Sequence, residues 1–287
     1  LLAVPDLDGD GYDDLIVGAS RVRAEPGADF SSGCAYLFHG PVTGAVLASQ
    51  ADGRVVNTSD GDTVCSALDL AGDVDGDGHL DLLMGGGAAT DQLAHATLVS
   101  HVWSGAADAA HPSARFTGVE LRGRTAVAGG GDLDADGIPD IVVGERVSGG
   151  SSTDPTGSFH VVLGGPHVAD LALTDADAHI QSGSTTGTNW GSYMRVADLD
   201  GDGVDEAVLG SVNRGDVGAL IKYDLDLSTT VSPDSLGDRV MSDDPDREVW
   251  ILFDTPGDYD GDGFDDLVLT LEVSGGSTHT YETALVF

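Results

Sequence analysis

The sequence predicts an all-β fold built from repeated units, each a four-stranded antiparallel sheet. One acidic stretch of nine residues occurs five times in the 287-residue chain, and every copy runs directly into a short apolar segment. The chain also contains 42 glycines, while aromatic residues make up only 6% of it. That composition is typical of many tight turns between short strands. No segment has the apolar periodicity of a helix.

The five acidic stretches share the pattern D-x-D-x-D-G-x-x-[DE] and set the period of the chain. The spacing between successive copies lies between 59 and 67 residues, which is the size of one β-propeller blade or slightly more. The sequence therefore predicts a single β-propeller domain over residues 1–287. Its five repeats are expected at approximately 1–61, 62–123, 124–186, 187–247 and 248–287.

Apolar runs supply the predicted strands of each unit. One run follows each acidic stretch directly, and a second comes about twenty residues later. Continuous apolar runs are typical of strands that are buried on both faces, as between neighbouring blades. Weaker alternating stretches at 114–121 and 171–180 are predicted as fourth strands. In four copies a glycine ends the first run, whereas the fifth copy has Thr270 at that position.

The charge of the chain excludes two classes of partner. There are 12 Lys and Arg residues against 49 Asp and Glu, for a formal net charge of −37. A surface with this much negative charge repels nucleic acid and anionic lipid, and neither is therefore expected as a partner. No apolar run approaches eighteen residues, and we expect no membrane insertion. The chain begins without Met and inside a strand-like run, and we expect a processed or truncated segment.

The acidic stretches have the chemistry of calcium loops. Alternate aspartates in a tight turn place several carboxylates around one centre, and their mutual repulsion favours a bound cation. Oxygen-only ligands select a hard divalent ion such as Ca²⁺, and the glycine at position six permits the sharp turn. An EF-hand loop would need a bidentate Glu at position twelve, but all five copies have an apolar residue there, such as Val17 and Met84. We therefore expect about five Ca²⁺, one per repeat, with the acid at position nine as a further ligand.

The loop and the strand after it resemble a known repeat. The stretch DLDGDGYDDLIVGA at residues 6–19 is similar to the FG-GAP repeat of integrin α-subunit propellers and their bacterial relatives. The resemblance implies that each loop joins the first two strands of a blade and that calcium lies on one rim. Because that family usually has seven blades, the five repeats form either a closed five-bladed ring or part of a seven-bladed one.

The resemblance also implies a ligand set for each loop, made of the side chains at positions one, three, five and nine and the backbone carbonyl at position seven. The expected metal ligands are Asp6, Asp8, Asp10, Tyr12 and Asp14; Asp73, Asp75, Asp77, His79 and Asp81; Asp132, Asp134, Asp136, Ile138 and Asp140; Asp198, Asp200, Asp202, Val204 and Glu206; and Asp258, Asp260, Asp262, Phe264 and Asp266.

The function implied by the resemblance is binding rather than catalysis. We expect a secreted or cell-surface adhesion module whose partner is a protein or glycan ligand on the cell surface or matrix. A lectin-like module, with Trp103 as the exposed aromatic residue, and a structural subunit of a surface assembly are the alternatives. A polysaccharide lyase or hydrolase is disfavoured because the sequence has no catalytic motif, so no enzyme and no catalytic residue are expected.

Two smaller features leave alternatives open. Cys34 and Cys65 form either one disulfide or two buried thiols. The tripeptide RGD at residues 214–216 is interpreted as a polar turn between strands, because a chain so rich in Gly and Asp produces this triplet easily by chance.

Overall fold

The computed structural model of the chain is all-β. It describes residues 1–20, 33–56, 62–88, 93–100, 106–108, 113–121, 124–146, 157–181, 188–213, 219–225, 239–241, 248–275 and 278–286. Within those residues helical structure is limited to two short 3-10 turns, Ala48–Gln50 and Leu173–Asp175. None of the described helices has the length and apolarity needed to cross a membrane.

The strands follow one another in antiparallel meanders, and each acidic loop joins the first strand of a meander to its second. The first stretch of chain contains β1 (Leu2–Val4), β2 (Asp14–Ala19), β3 (Cys34–Phe38) and β4 (Gly53–Val56). The second contains β5 (Asp62–Gly72), β6 (Asp81–Ala88), β7 (Leu93–Val99), β8 (Ala106–Asp108) and β9 (Ala114–Leu121). The third contains β10 (Arg124–Gly131), β11 (Asp140–Arg146), β12 (Ser158–Val162), β13 (Leu171–Ala172) and β14 (Ala178–Gln181). The fourth contains β15 (Thr188–Ala197), β16 (Glu206–Asn213), β17 (Ala219–Tyr223) and β18 (Arg239–Met241). The fifth contains β19 (Glu248–Gly257), β20 (Asp266–Gly275) and β21 (Thr278–Val286).

Four-stranded antiparallel order recurs in the sheets. The first three meanders have the orders β1-β2-β3-β4, β5-β6-β7-β9 and β10-β11-β12-β14. The fourth and fifth share one sheet, because β16 pairs with β19 at Val212–Trp250 and Asn213–Val249. These sheets confirm the predicted all-β, propeller-like class of the fold.

Two short segments pair with the outer edge of the preceding meander. Strand β8 runs parallel to β4, and β13 runs parallel to β9, so each adds a fifth strand to a sheet formed earlier in the chain. The sequence-based prediction of one strand over 171–180 is therefore wrong. After β13 the chain makes a 3-10 turn whose Leu173 is fully buried, and only then does β14 begin as the fourth strand of its own meander.

The hydrophobic cores lie between consecutive meanders. In β11, Ile141 and Val143 pack in the core shared with the second meander, whereas Val142 faces the core shared with the fourth. The same alternation separates Leu82 from Leu83 in β6. Because both faces of the second strand are buried, its sequence is continuously apolar rather than alternating.

In the second strands of the first four meanders, the repeated glycine lies in close contact with the next meander. A Cβ on Gly144 would lie 2.7 Å from the carbonyl oxygen of Gly191 in β15, and one on Gly85 would lie 2.7 Å from the carbonyl oxygen of Thr125 in β10. Gly18 and Gly210 are equally close to β5 and β19. The glycine is needed because the first strand of the next meander fills the space that a side chain would occupy.

Candidate metal centres

Each acidic loop is shaped by its own carboxylates. In the first loop Asp6 accepts the N–H of Gly11 at 2.7 Å, Asp8 accepts that of Asp10 at 3.1 Å, and Asp10 accepts that of Tyr12 at 2.9 Å. The fifth loop repeats these three bonds with distances of 3.0 Å. Aspartate side chains favour such local bonds to the backbone, which hold the loop in tight successive turns.

Left-handed backbone at positions four and six closes the turn. The sixth residue is glycine in all five copies, with φ between 85° and 98°. The fourth residue is glycine in four copies, but in the third it is Ala135, with φ of 61°. Residues with a side chain are strained in this region, so the glycines follow from the geometry of the loop.

The acid at position nine is buried at the base of every loop. Asp140 is 1% exposed and accepts the N–H of Leu133 at 2.7 Å through Oδ2 and that of Gly164 at 2.7 Å through Oδ1. Asp14 binds Leu7 and Gly40 in the same way. In the first and third loops this carboxylate thus joins the start of the loop to the turn after the third strand, a structural role that the loop pattern alone did not reveal.

The carboxylates gather into groups that suit one cation each. Their oxygens lie within 4.8 Å of one another in groups of three or four: Asp6, Asp8 and Asp10; Asp73, Asp75 and Asp81; Asp132, Asp134 and Asp136; and Asp198, Asp200, Asp202 and Glu206. In these groups position nine joins the other acids in the second and fourth loops. A carbonyl ligand at position seven stays a prediction, and the side chains there are exposed in Tyr12, His79 and Phe264.

The second loop contains buried carboxylate oxygens for which the described residues supply no partner. Asp73 Oδ1 and Asp81 Oδ1 are both buried without a hydrogen bond within the described part of the chain. Burial raises the pKa of Asp81 to about 6, and the charges of Asp75 and Asp77 act in the same direction. Burial likewise raises the pKa of Asp140 to about 6. Unpaired carboxylate oxygens close to other carboxylates fit a hard divalent cation with oxygen ligands.

A histidine that the sequence did not single out joins the first loop. His39 Nδ1 lies 3.1 Å from Asp14 Oδ2 and 3.7 Å from Asp8 Oδ2. Burial alone would lower the pKa of His39, but the hydrogen bond to Asp14 and the neighbouring charges raise it. In the second unit Ser100 occupies the corresponding place after the third strand, and its hydroxyl donates to Asp75 at 3.2 Å. Aligning the repeats at their third strands would have pointed to both residues.

A second charged group lies on the first strands. Arg195 of β15 donates from Nε to Asp254 Oδ1 of β19 at 2.7 Å. Burial raises the pKa of Asp69 in β5 to about 6, while the charge of Arg195 lowers it and that of Asp254 raises it. The first strands of three meanders therefore face a common space, as the inner strands of propeller blades do.

Several other sequence features have simple outcomes. Cys34 and Cys65 are both buried free thiols, not a disulfide. Trp103 and the RGD tripeptide at 214–216 lie outside the described residues. Trp190 and Trp250 lie on the first strands β15 and β19.

Comparison with known proteins agrees with the loop geometry. The family model described as FG-GAP repeat matches residues 1–31, which contain β1, the first acidic loop and β2. No curated protein matches the sequence.

Proposed function

We propose that the chain is a calcium-stabilised extracellular binding module of the integrin-α-like propeller type, with a protein or glycan ligand on the cell surface or matrix. The observation on which the proposal rests is the second loop, where Asp73 and Asp81 each bury a carboxylate oxygen that lacks a partner among the described residues. The FG-GAP match at residues 1–31 supports the integrin-like class.

Calcium would act as a structural ion in this proposal. The carboxylates at positions one, three and five would bind it, and in the second and fourth loops the acid at position nine would join them. Binding would remove the repulsion between carboxylates that otherwise opposes the fold, so it would stabilise the native state. Loops of this type suit the millimolar calcium found outside cells, which is the reason for proposing an extracellular location.

Calorimetric titration of the EDTA-treated chain tests the structural role. We expect about one Ca²⁺ per loop and a melting temperature that rises with calcium, because the ion binds only the folded state. Magnesium at equal concentration is the control and should have a smaller effect, since it demands near-ideal octahedral geometry. An unchanged melting temperature after chelation in low salt would contradict the proposal.

A buried polar cluster supports binding rather than catalysis. Ser158 Oγ lies 2.8 Å from His160 Nε2, and Glu145 Oε2 lies 3.0 Å from the same nitrogen. A serine nucleophile needs its acid partner on the opposite ring nitrogen, but His160 Nδ1 instead faces His179 at 2.9 Å. Glu145 is fully buried, so substrate has no access to its carboxylate. We therefore propose a structural role for this cluster, and turnover of any polysaccharide by the purified chain would contradict it.

A further inference from the structure

A small cavity lies where the first strands of three consecutive meanders meet. It has a volume of about 210 Å³ and is lined by Ser66 and Ala67 of β5, Thr125 and Ala126 of β10, Gly191 and Tyr193 of β15, and Arg146 at the end of β11. Thr125 and Arg146 lie at the ends of their strands farthest from the third acidic loop. The cavity is thus separate from the candidate metal centres.

The cavity lies beside irregular hydrogen-bond pairing in two of its strands, β5 and β15. The register of β5 shifts between Thr63 and Ala67, and that of β15 shifts between Asn189 and Tyr193. Gly191 lies within the second shift with φ of 80°, and a Cβ there would be 2.6 Å from the carbonyl oxygen of Glu145. Bulges of this kind re-aim side chains and are common beside binding sites. Residues of both bulged strands line the cavity, and Gly191, which has no side chain, contributes only backbone to it.

The charge of the cavity is opposite to that of the molecule. Among the described residues that line it, Arg146 is the only charged one, in a chain with 12 Lys and Arg residues against 49 acids. The Nε of Arg146 is buried and has no hydrogen-bond partner among the described residues. A buried guanidinium N–H without a partner is costly, and a planar carboxylate is the group that matches the guanidinium best.

The hydroxyl groups define the rest of the ligand. Ser66 Oγ donates to the carbonyl of Gly85 at 3.0 Å, and Thr125 Oγ1 donates to that of Gly86 at 2.6 Å. Because each hydroxyl proton is already donated to a carbonyl, each oxygen is left to accept a hydrogen bond from a further group. Acceptors suit ligand hydroxyl groups, whereas a ligand ammonium would find no acidic residue to balance its charge among the described residues that line the cavity.

We propose that this cavity binds the carboxylate of a sugar acid, with Arg146 recognising the carboxylate and with Ser66 and Thr125 accepting from ring hydroxyls. The volume is below the range usual for drug-sized ligands, which limits the site to a single sugar residue. The inference is independent of calcium, so its failure leaves the structural role of the ion untouched.

Titration of the calcium-loaded chain with D-glucuronate, followed by calorimetry, tests this site. Glucuronate should bind about tenfold or more tightly than D-glucose, because glucose lacks the charged partner of Arg146. Arg146→Gln should lose about tenfold or more of the glucuronate affinity by the same reasoning. Arg54→Gln is the matched control, since Arg54 lies on β4 outside the cavity, and it should bind as the unmodified chain does.

Two further measurements keep the test decisive. Ser66→Phe should block the cavity and abolish glucuronate binding while the calcium-dependent melting temperature stays the same, because Ser66 is exposed at its mouth. Equal binding of glucuronate and glucose, or unchanged binding by Arg146→Gln, would overturn the proposal. Binding of L-aspartate as tightly as glucuronate would overturn the assignment to a sugar acid.

Discussion

The backbone N–H of Asp205 donates to the carbonyl of Asp132 at 3.0 Å, and the carboxylate of Asp205 accepts the N–H of Asp132 at 2.8 Å. Asp132 begins the third acidic loop and Asp205 is the eighth residue of the fourth, so adjacent loops are linked by a reciprocal pair of bonds. Asp265 and Asp198 link the fifth loop to the fourth in the same way, with distances of 2.9 and 3.3 Å. The third, fourth and fifth acidic loops are thus connected in series.

Removing this link should destabilise the fold. Asp205→Ala leaves the half-buried N–H of Asp132 without its partner, and we expect a loss of about 1–2 kcal/mol in the free energy of unfolding, measured with urea. Asp13→Ala is the control, because Asp13 has the same loop position but is exposed and makes no side-chain hydrogen bond among the described residues. Equal losses in the two variants would show that the bonds between loops do not contribute.

Ala135→Gly should stabilise the chain. Ala135 is the single non-glycine residue at position four of the loops and has φ of 61°, where a Cβ is strained. Relief of that strain should raise the free energy of unfolding by about 0.5–1 kcal/mol. The reverse change in another loop, Gly261→Ala, should lower it by a similar amount, since Gly261 has φ of 83° and open space around it. Opposite signs in thermal unfolding are expected, and a loss of stability in Ala135→Gly would contradict the strain.

Replacing the repeated glycine by alanine should weaken the packing between two meanders and destabilise the fold. Gly144→Ala would place a Cβ 2.7 Å from the carbonyl oxygen of Gly191, and we expect a loss of about 1–3 kcal/mol from overpacking. Thr270 occupies the same position in the fifth copy and already has a side chain. Thr270→Ala should therefore cost about 1 kcal/mol or less. Urea unfolding that finds Gly144→Ala as mild as Thr270→Ala would refute the close approach.

Calcium affinity should depend on the loop aspartates and not on acidity in general. Asp134→Asn removes one negative charge from the group formed with Asp132 and Asp136, and should weaken calcium binding at one site about tenfold. Asp175→Asn is the matched control, because Asp175 is exposed in a 3-10 turn outside the loops. Calorimetry should detect one weakened site in the first variant and none in the second. Identical titrations would argue against a site in the third loop.

The pH dependence of stability should report on Asp69. Burial raises its pKa from 3.8 to about 6, so the folded chain binds a proton that the unfolded chain releases in this range. The contribution of Asp69 to the free energy of unfolding therefore falls as the pH rises from about 4 to about 6. Asp69→Asn should remove that part of the slope, measured in EDTA by urea unfolding. The same slope in both proteins would mean that Asp69 titrates normally.

The sequence predicted the repeating parts of this molecule well, because the same pattern occurs five times and each copy supports the interpretation of the others. Five copies of the acidic loop made the turn and the strand after it visible without an alignment, and the structure places a strand directly after each loop. The apolar runs also predicted burial on both faces, which the two cores around Ile141 and Val142 now explain.

Features that depend on contacts between units were not predictable. The segment 171–180 looks like one alternating strand, but its first part pairs with β9 of the preceding meander and its last part with β12. The role of His39 and the buried bonds of Asp140 likewise depend on the turn after the third strand meeting the loop. Such meetings arise from tertiary packing, which no local pattern encodes.

Because of the strands β8 and β13, two sheets depend on a part of the chain that is synthesised later. Each belongs to a later part of the sequence but completes a sheet formed by an earlier part. The first strands β10 and β15, beside Gly85 and Gly144, instead pack against the preceding meander without joining its sheet. During synthesis the sheets of the first and second meanders therefore lack their outermost strand until β8 and β13 have emerged from the ribosome.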